Sequence, residues 1–148
     1  MNVTASHTHI NPSPLLPKAL SLHQQAFQAK ERGDYATAER LWIEVLAIKD
    51  AIMPGGADSE GSALTRNAMG ELYLKMGRYD EAEKLLKKAL SVRERVGTAF
   101  DAAMSRDNLA RVYEHKGDLA LARATRVSVP NSMVCGNENV RMSCSSEV

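Results

Sequence analysis

Gly77-Arg78-Tyr79-Asp80-Glu81-Ala82 decides the fold, because the chain carries the same pattern three times. Gly33-Asp34-Tyr35-Ala36-Thr37-Ala38 precedes it by 44 residues (Gly33 to Gly77), and Gly117-Asp118-Leu119-Ala120-Leu121-Ala122 follows it by 40 (Gly77 to Gly117). Each copy reads Gly-x-(Tyr or Leu)-x-x-Ala. Repetition at this period signals stacked helical hairpins, each too thin to bury its apolar side alone.

The residues around the central copy fit one such hairpin. Leu64 to Met76 is predicted as a first helix and Tyr79 to Val96 as a second. Gly77 stands where the first helix ends, and a left-handed residue there costs glycine nothing. Ala68, Gly70, Ala82 and Ala89 are small enough for close helix packing, with Leu72, Tyr73, Tyr79 and Leu86 filling the space beside them. Leu85, Leu86, Ala89 and Leu90 have the three-four spacing of a buried stripe. Asp80, Glu81 and Glu83 at the start of the second helix and Arg93 and Arg95 at its end suit the helix dipole. Glu83 and Lys87, four apart, form a stabilising pair.

The first hairpin repeats the plan, with helices predicted from Leu16 or Pro17 to Arg32 and from Tyr35 to Ile52. Ala26, Ala38, Leu41, Trp42 and Val45 take its core positions, Trp42 standing where Leu86 stands in the second hairpin. Met53-Pro54-Gly55-Gly56-Ala57-Asp58 reads as a turn between hairpins. The third hairpin has a good first helix, Ala99 to Lys116, with Leu109, Ala110, Val112 and Tyr113 facing inward. Its second helix is a stub: Arg126 replaces the large apolar residue, and β-branched residues and Pro130 come after it. The expected organisation is a disordered arm over residues 1–16, a helical repeat domain over 17–127 and a disordered tail over 128–148.

Asn67-Ala68-Met69-Gly70-Glu71-Leu72-Tyr73, followed by Gly77 through Leu90, closely resembles the tetratricopeptide repeat family, as does Asp107-Asn108-Leu109-Ala110-Arg111-Val112-Tyr113 with Gly117 through Ala122. The resemblance covers about three-quarters of the chain. Units of 40 and 44 residues exceed the family's usual period of about 34 and are similar to the extended repeats of the kinesin light chain type. The resemblance implies an all-α fold: a right-handed α-solenoid of about three hairpins, the last one truncated. It also implies a concave groove lined by the first helices, taking an extended peptide or a partner helix, and no chemistry of its own.

Stepping along each first helix away from its core positions gives the groove candidates that this resemblance implies. They are His23, Phe27 and Lys30 in the first hairpin. The second supplies Leu64, Asn67, Glu71 and Lys75, and the third Met104, Asp107, Asn108, Arg111 and Glu114. Asparagines there offer a paired donor and acceptor to a peptide backbone, and Lys75 and Arg111 suit acidic ligand groups. The family's two-carboxylate clamp for chaperone termini does not fit: His23, Phe27, Ala68, Met104 and Asn108 occupy the matching sites, and only Asn108 agrees. Phe27, Leu64 and Met104 suit an apolar or amphipathic ligand better.

Composition excludes several other functions. Nineteen Lys and Arg against 18 Asp and Glu leave a net charge of +1, without the basic surplus of a nucleic-acid binder. Aromatic residues make up 5%, too few for a base-stacking platform. No apolar run reaches the roughly 18 residues of a membrane span. Met1 to Ile10 lacks the pattern of a secretory signal, so the sequon at Asn2 is read as chance. Two cysteines are too few for a disulfide scaffold. A reduced intracellular location is therefore expected, cytoplasmic in the first instance and compatible with the nucleus.

No catalytic motif, cofactor site or metal site is expected, so the chain is read as a non-enzyme. His7 and His9 lie in the arm, and His115 suits a helix C-terminus. Cys135 and Cys144 cannot complete a four-ligand zinc site between them. Asn131 to Asn137 is similar to the lead-in of a MYND-type zinc module, which allows a second reading as a truncated or alternatively spliced fragment. Ser146-Glu147-Val148 matches a PDZ-type terminal ligand, a short pattern that arises often by chance. The leading expectation is a scaffold for a protein or peptide ligand. The rival from a different class is an oligomerisation unit that self-associates through its open C-terminal end.

Overall fold

A computed structural model describes residues 13–127. The readings of the arm, including His7 and His9, and of the tail, including Cys135, Cys144 and the terminal Ser146-Glu147-Val148, lie outside the described residues. Those described are helical, with no strand among them. They fall into two compact units that divide between Thr65 and Arg66.

The first unit holds α1 (Leu15–Glu31), α2 (Tyr35–Ile52), a turn of 3-10 helix (Gly56–Asp58) and the start of α3 (Glu60–Lys75). Ala19, Ala26 and Ala29 of α1 are fully buried, as are Ala38, Trp42 and Val45 of α2. Alanines on α1 let α2 approach closely, and the Trp42 indole supplies the bulk. α1 begins two residues before the expected boundary at 17. α3 begins four residues before the expected Leu64, because Ser59 Oγ accepts from the Ser62 backbone N–H at 3.1 Å and caps the helix there.

The second unit holds the remainder of α3, then α4 (Tyr79–Val96), α5 (Ala99–His115) and α6 (Leu119–Val127). Leu72, Leu86, Ala89, Val92, Ala110 and Val112 are buried at its centre. A Cβ on Gly70 would lie 2.5 Å from Leu86 Cγ, so the missing side chain is what lets α4 seat Leu86. The buried stripe of α4 runs through Ala82, Leu86, Ala89 and Arg93. Leu85 and Leu90 flank that stripe and are half-buried, not central to it as the spacing suggested. Glu83 and Lys87 do pair, at 2.5 Å.

The three glycine turns are one device used three times. Gly33, Gly77 and Gly117 have φ of +79°, +76° and +85°. At each turn the next residue's N–H reaches back five residues: Asp34 to Ala29 O, Arg78 to Tyr73 O and Asp118 to Tyr113 O, all at 2.9 Å. This is the Schellman ending that consumes the last free carbonyls of a helix. Asp34 and Asp118 then cap the following helices, accepting from Thr37 N–H at 3.1 Å and Leu121 N–H at 3.0 Å. Arg78 cannot cap. It pairs with Glu81 and lies 4.1 Å from the centre of the Tyr73 ring.

Candidate functional site

In the first unit, α1 carries an aromatic cluster. The Phe27 ring meets His23 at 5.0 Å and Trp42 at 5.2 Å, both edge-on, and Lys30 Nζ lies 5.0 Å from the Phe27 centroid. Trp42 Nε1–H donates to His23 Nδ1 at 3.2 Å. An accepting Nδ1 assigns the proton of the neutral ring to Nε2. Burial, and then the Lys49 charge, push the His23 pKa down to about 4, so the ring is neutral near pH 7. Phe27 is 36% exposed, whereas Lys30 is buried. Leu64, near the end of this unit, is 44% exposed.

The second unit contains a polar chain through its interior. Arg93 Nη1 on α4 donates to Ser105 Oγ on α5 at 2.8 Å and to the Asp101 carbonyl at 3.1 Å. Ser105 Oγ donates onward to Asn67 Oδ1 on α3 at 3.0 Å. Asn108 Nδ2 donates to the same oxygen at 3.4 Å, and Arg111 Nη1 donates to Asn108 Oδ1 at 3.4 Å. The structure thus brings Asn67, Asn108 and Arg111 together, but with Asn67 and Asn108 buried and their amides bonded inside the unit.

The other candidates are more open. Lys75 is exposed, Glu71 is half-buried, and Met104 is 45% exposed. Asp107 and Glu114 both pair with Arg126 of α6, Asp107 at 3.0 Å. The hydrogen bond from Arg126 holds the Glu114 carboxyl below the usual range. Arg126 therefore does not bury itself where Trp42 and Leu86 do. It turns outward and ties the stub to α5.

Sequence reasoning gave Arg93 a role in the helix dipole alone and passed over Lys49 and Ser105. Lys49 Nζ, on α2, donates to the Gly61 carbonyl at 3.1 Å and to Thr65 Oγ1 at 3.0 Å. The arrangement matches that of Arg93 with the Asp101 carbonyl and Ser105 Oγ. The signal was in the repeat register: Lys49 and Arg93 each lie sixteen residues past their turn glycines, Gly33 and Gly77, and the hydroxyl residues Thr65 and Ser105 are 40 apart.

Among the described residues no group of three His, Cys, Asp or Glu side chains is placed to hold a metal ion. No helix there is long and apolar enough to cross a membrane. No curated protein matches the chain at a significant level. The tetratricopeptide repeat family model matches residues 17–95 and, in a second overlapping placement, 61–125. These matches take in all three turn glycines and the buried Lys49 and Arg93, and with them the chain belongs to the tetratricopeptide repeat family.

Proposed function

We propose that the chain is a non-enzymatic interaction scaffold that holds a peptide or partner helix along the faces of its first helices, α1, α3 and α5. Tetratricopeptide repeats are generally protein–protein interaction modules. The observation that carries the reading is the exposure of Phe27, Leu64 and Met104, one large apolar side chain on each first helix. Leu64 and Met104 stand at the same repeat position, 13 residues before Gly77 and Gly117, and Phe27 lies two turns further along its own helix. Water-facing apolar groups of this kind suit an apolar or amphipathic ligand. Lys75 and Arg111 add positive charge, and His23 adds an Nε2–H donor. We read the 44- and 40-residue periods as the extended repeat similar to that of kinesin light chain. Two cysteines in 148 residues suit an intracellular setting, cytoplasmic or nuclear.

Pull-down from a peptide library with the full chain and with F27A, L64A, M104A and R111A tests this. Binding that falls in these variants supports the reading, and an unchanged peptide profile in all four contradicts it. Asn67 is a poor probe, because truncating it also breaks the interior network.

A second reading, an oligomerisation unit, draws on α6, where Leu119, Leu121 and Val127 are 55%, 42% and 75% exposed. Size-exclusion chromatography with light scattering decides it: a strict monomer at high concentration contradicts the oligomer.

A further inference from the structure

We propose that the exposed face of α6 formed by Ala120, Arg123 and Val127 docks an acidic amphipathic helix of another protein, seated as α5 is seated on α4. The second unit supplies the template. α4 presents Asp80, Glu83 and Lys87 to α5. Lys116 Nζ donates to Asp80 Oδ1 at 2.8 Å and to Glu83 Oε2 at 2.7 Å. The Tyr113 hydroxyl donates to Glu83 Oε1 at 3.4 Å, and Lys87 Nζ lies 5.9 Å from the Tyr113 ring. α4 thus receives a helix that arrives with a cation.

Moved by the 40 residues between Gly77 and Gly117, those three positions become Ala120, Arg123 and Val127. All three are exposed. Glu39 and Glu83 occupy the central position in the first two hairpins, and Arg123 occupies it in the third. No acidic residue lies anywhere in α6. Among the described residues Arg123 makes no ion pair, since the α5 carboxylates that α6 engages, Asp107 and Glu114, go to Arg126. The helix-receiving face has therefore kept its position and reversed its charge. A helix with lysine in the place of Lys116 meets repulsion there, and one with Asp or Glu in that place pairs with Arg123.

A second copy is the poorer occupant in this register. The residue before the first turn glycine is Arg32, as Lys116 precedes Gly117, so stacking a second copy's α1 on α6 sets Arg32 against Arg123. Ala29 would also stand in the place of Tyr113, with no hydroxyl and little area.

Two synthetic peptides provide the probe: residues 99–116 with the natural sequence, and the same peptide carrying Lys116→Glu. On the full chain the K116E peptide is expected to bind about three- to tenfold tighter than the natural one. The gap should narrow as salt rises, and Arg123→Glu in the protein should reverse the order. Equal affinities, no binding of either peptide, or an order that survives R123E would overturn the proposal. So would binding that appears only after residues 128–148 are removed, which would give the face to the chain's own tail. Self-association of the wild-type chain that R123E weakens would give it to a second copy, with the same consequence.

Discussion

The joint after α2 and the joint after α4 share one plan and use different cations. In each, a buried basic side chain near the end of a second helix reaches across the turn. It bonds a backbone carbonyl in the first turns of the next helix and a hydroxyl four residues later. Lys49 puts a compact ammonium there, and among the described residues its hydrogen-bond partners are the neutral Gly61 carbonyl and Thr65 hydroxyl. Arg93 puts a guanidinium there, whose spread charge is cheaper to bury and whose Ser105 partner passes the bond on to Asn67. The difference teaches that the position demands a donor that bridges two acceptors, while the hydroxyl's own acceptor sets how far the polar network extends: Thr65 Oγ1 turns back to the Gly61 carbonyl, and Ser105 Oγ goes on to Asn67. The lysine joint ends at Thr65. The arginine joint feeds a chain of polar groups running to Arg111.

The largest effect should come from the shared core position that lies beneath these joints. Trp42→Ala empties the first hairpin and should cost about 3–5 kcal/mol, and Leu86→Ala, at the same place in the second, about 2–5 kcal/mol. Chemical denaturation measures both, and a cost under about 1 kcal/mol for either would break the equivalence of the two hairpins.

The joints themselves come next. Arg93→Met leaves the Asp101 carbonyl and the Ser105 hydroxyl short of a donor and should cost about 1–3 kcal/mol. Lys49→Met should cost less, because it also removes a charge held in poor solvation. A larger loss for K49M than for R93M would reverse the account of the two cations. Their pH dependence sharpens it. Burial lowers the Lys49 pKa below its ordinary 10.5. Between the lowered value and 10.5 the unfolded chain binds more protons than the folded one, so the Lys49 contribution to stability rises with pH across that window. K49M should abolish that rise, measured as denaturation midpoints from neutral pH upward.

Smaller effects belong to Thr98 and His23. Thr98 Oγ1 accepts from the Asp101 N–H at 3.1 Å and caps α5, so Thr98→Ala should cost about 1 kcal/mol, read in the thermal midpoint. His23 should titrate near 4 by NMR, and Trp42→Phe, which removes the indole donor and loosens the cluster, should move it back toward 6.5. Since the folded value is depressed, the His23 contribution is present above about 6.5 and is lost as pH falls toward 4.

Much of the architecture was legible in residues whose role is local. Gly33, Gly77 and Gly117 announce their turns because a left-handed helix ending has few other solutions, and all three adopt it. The second helices of the first two hairpins lie at the predicted residues, 35–52 and 79–96. The stripe on α4 was half legible: three-four spacing selected Leu86 and Ala89 but could not rank Leu85 against Arg93, because a buried arginine looks polar until its partners are known.

The site was less legible for the same reason. Asn67 and Asn108 were read off single helices as ligand-facing groups. Their burial depends on Ser105 and Arg93, 38 and 26 positions along the chain from Asn67, which no single-helix pattern includes. Phe27, Leu64 and Met104 needed no partner to be recognised, and all three are exposed.

Chemical-shift mapping with a tightly binding peptide from the library tests the central functional claim most directly. Perturbations are expected on α1, α3 and α5, strongest at Phe27, Leu64, Met104 and Arg111, with Ile43 of α2 and Lys84 of α4 undisturbed. Shifts concentrated on α2 and α4, with those first-helix residues unmoved, would contradict it.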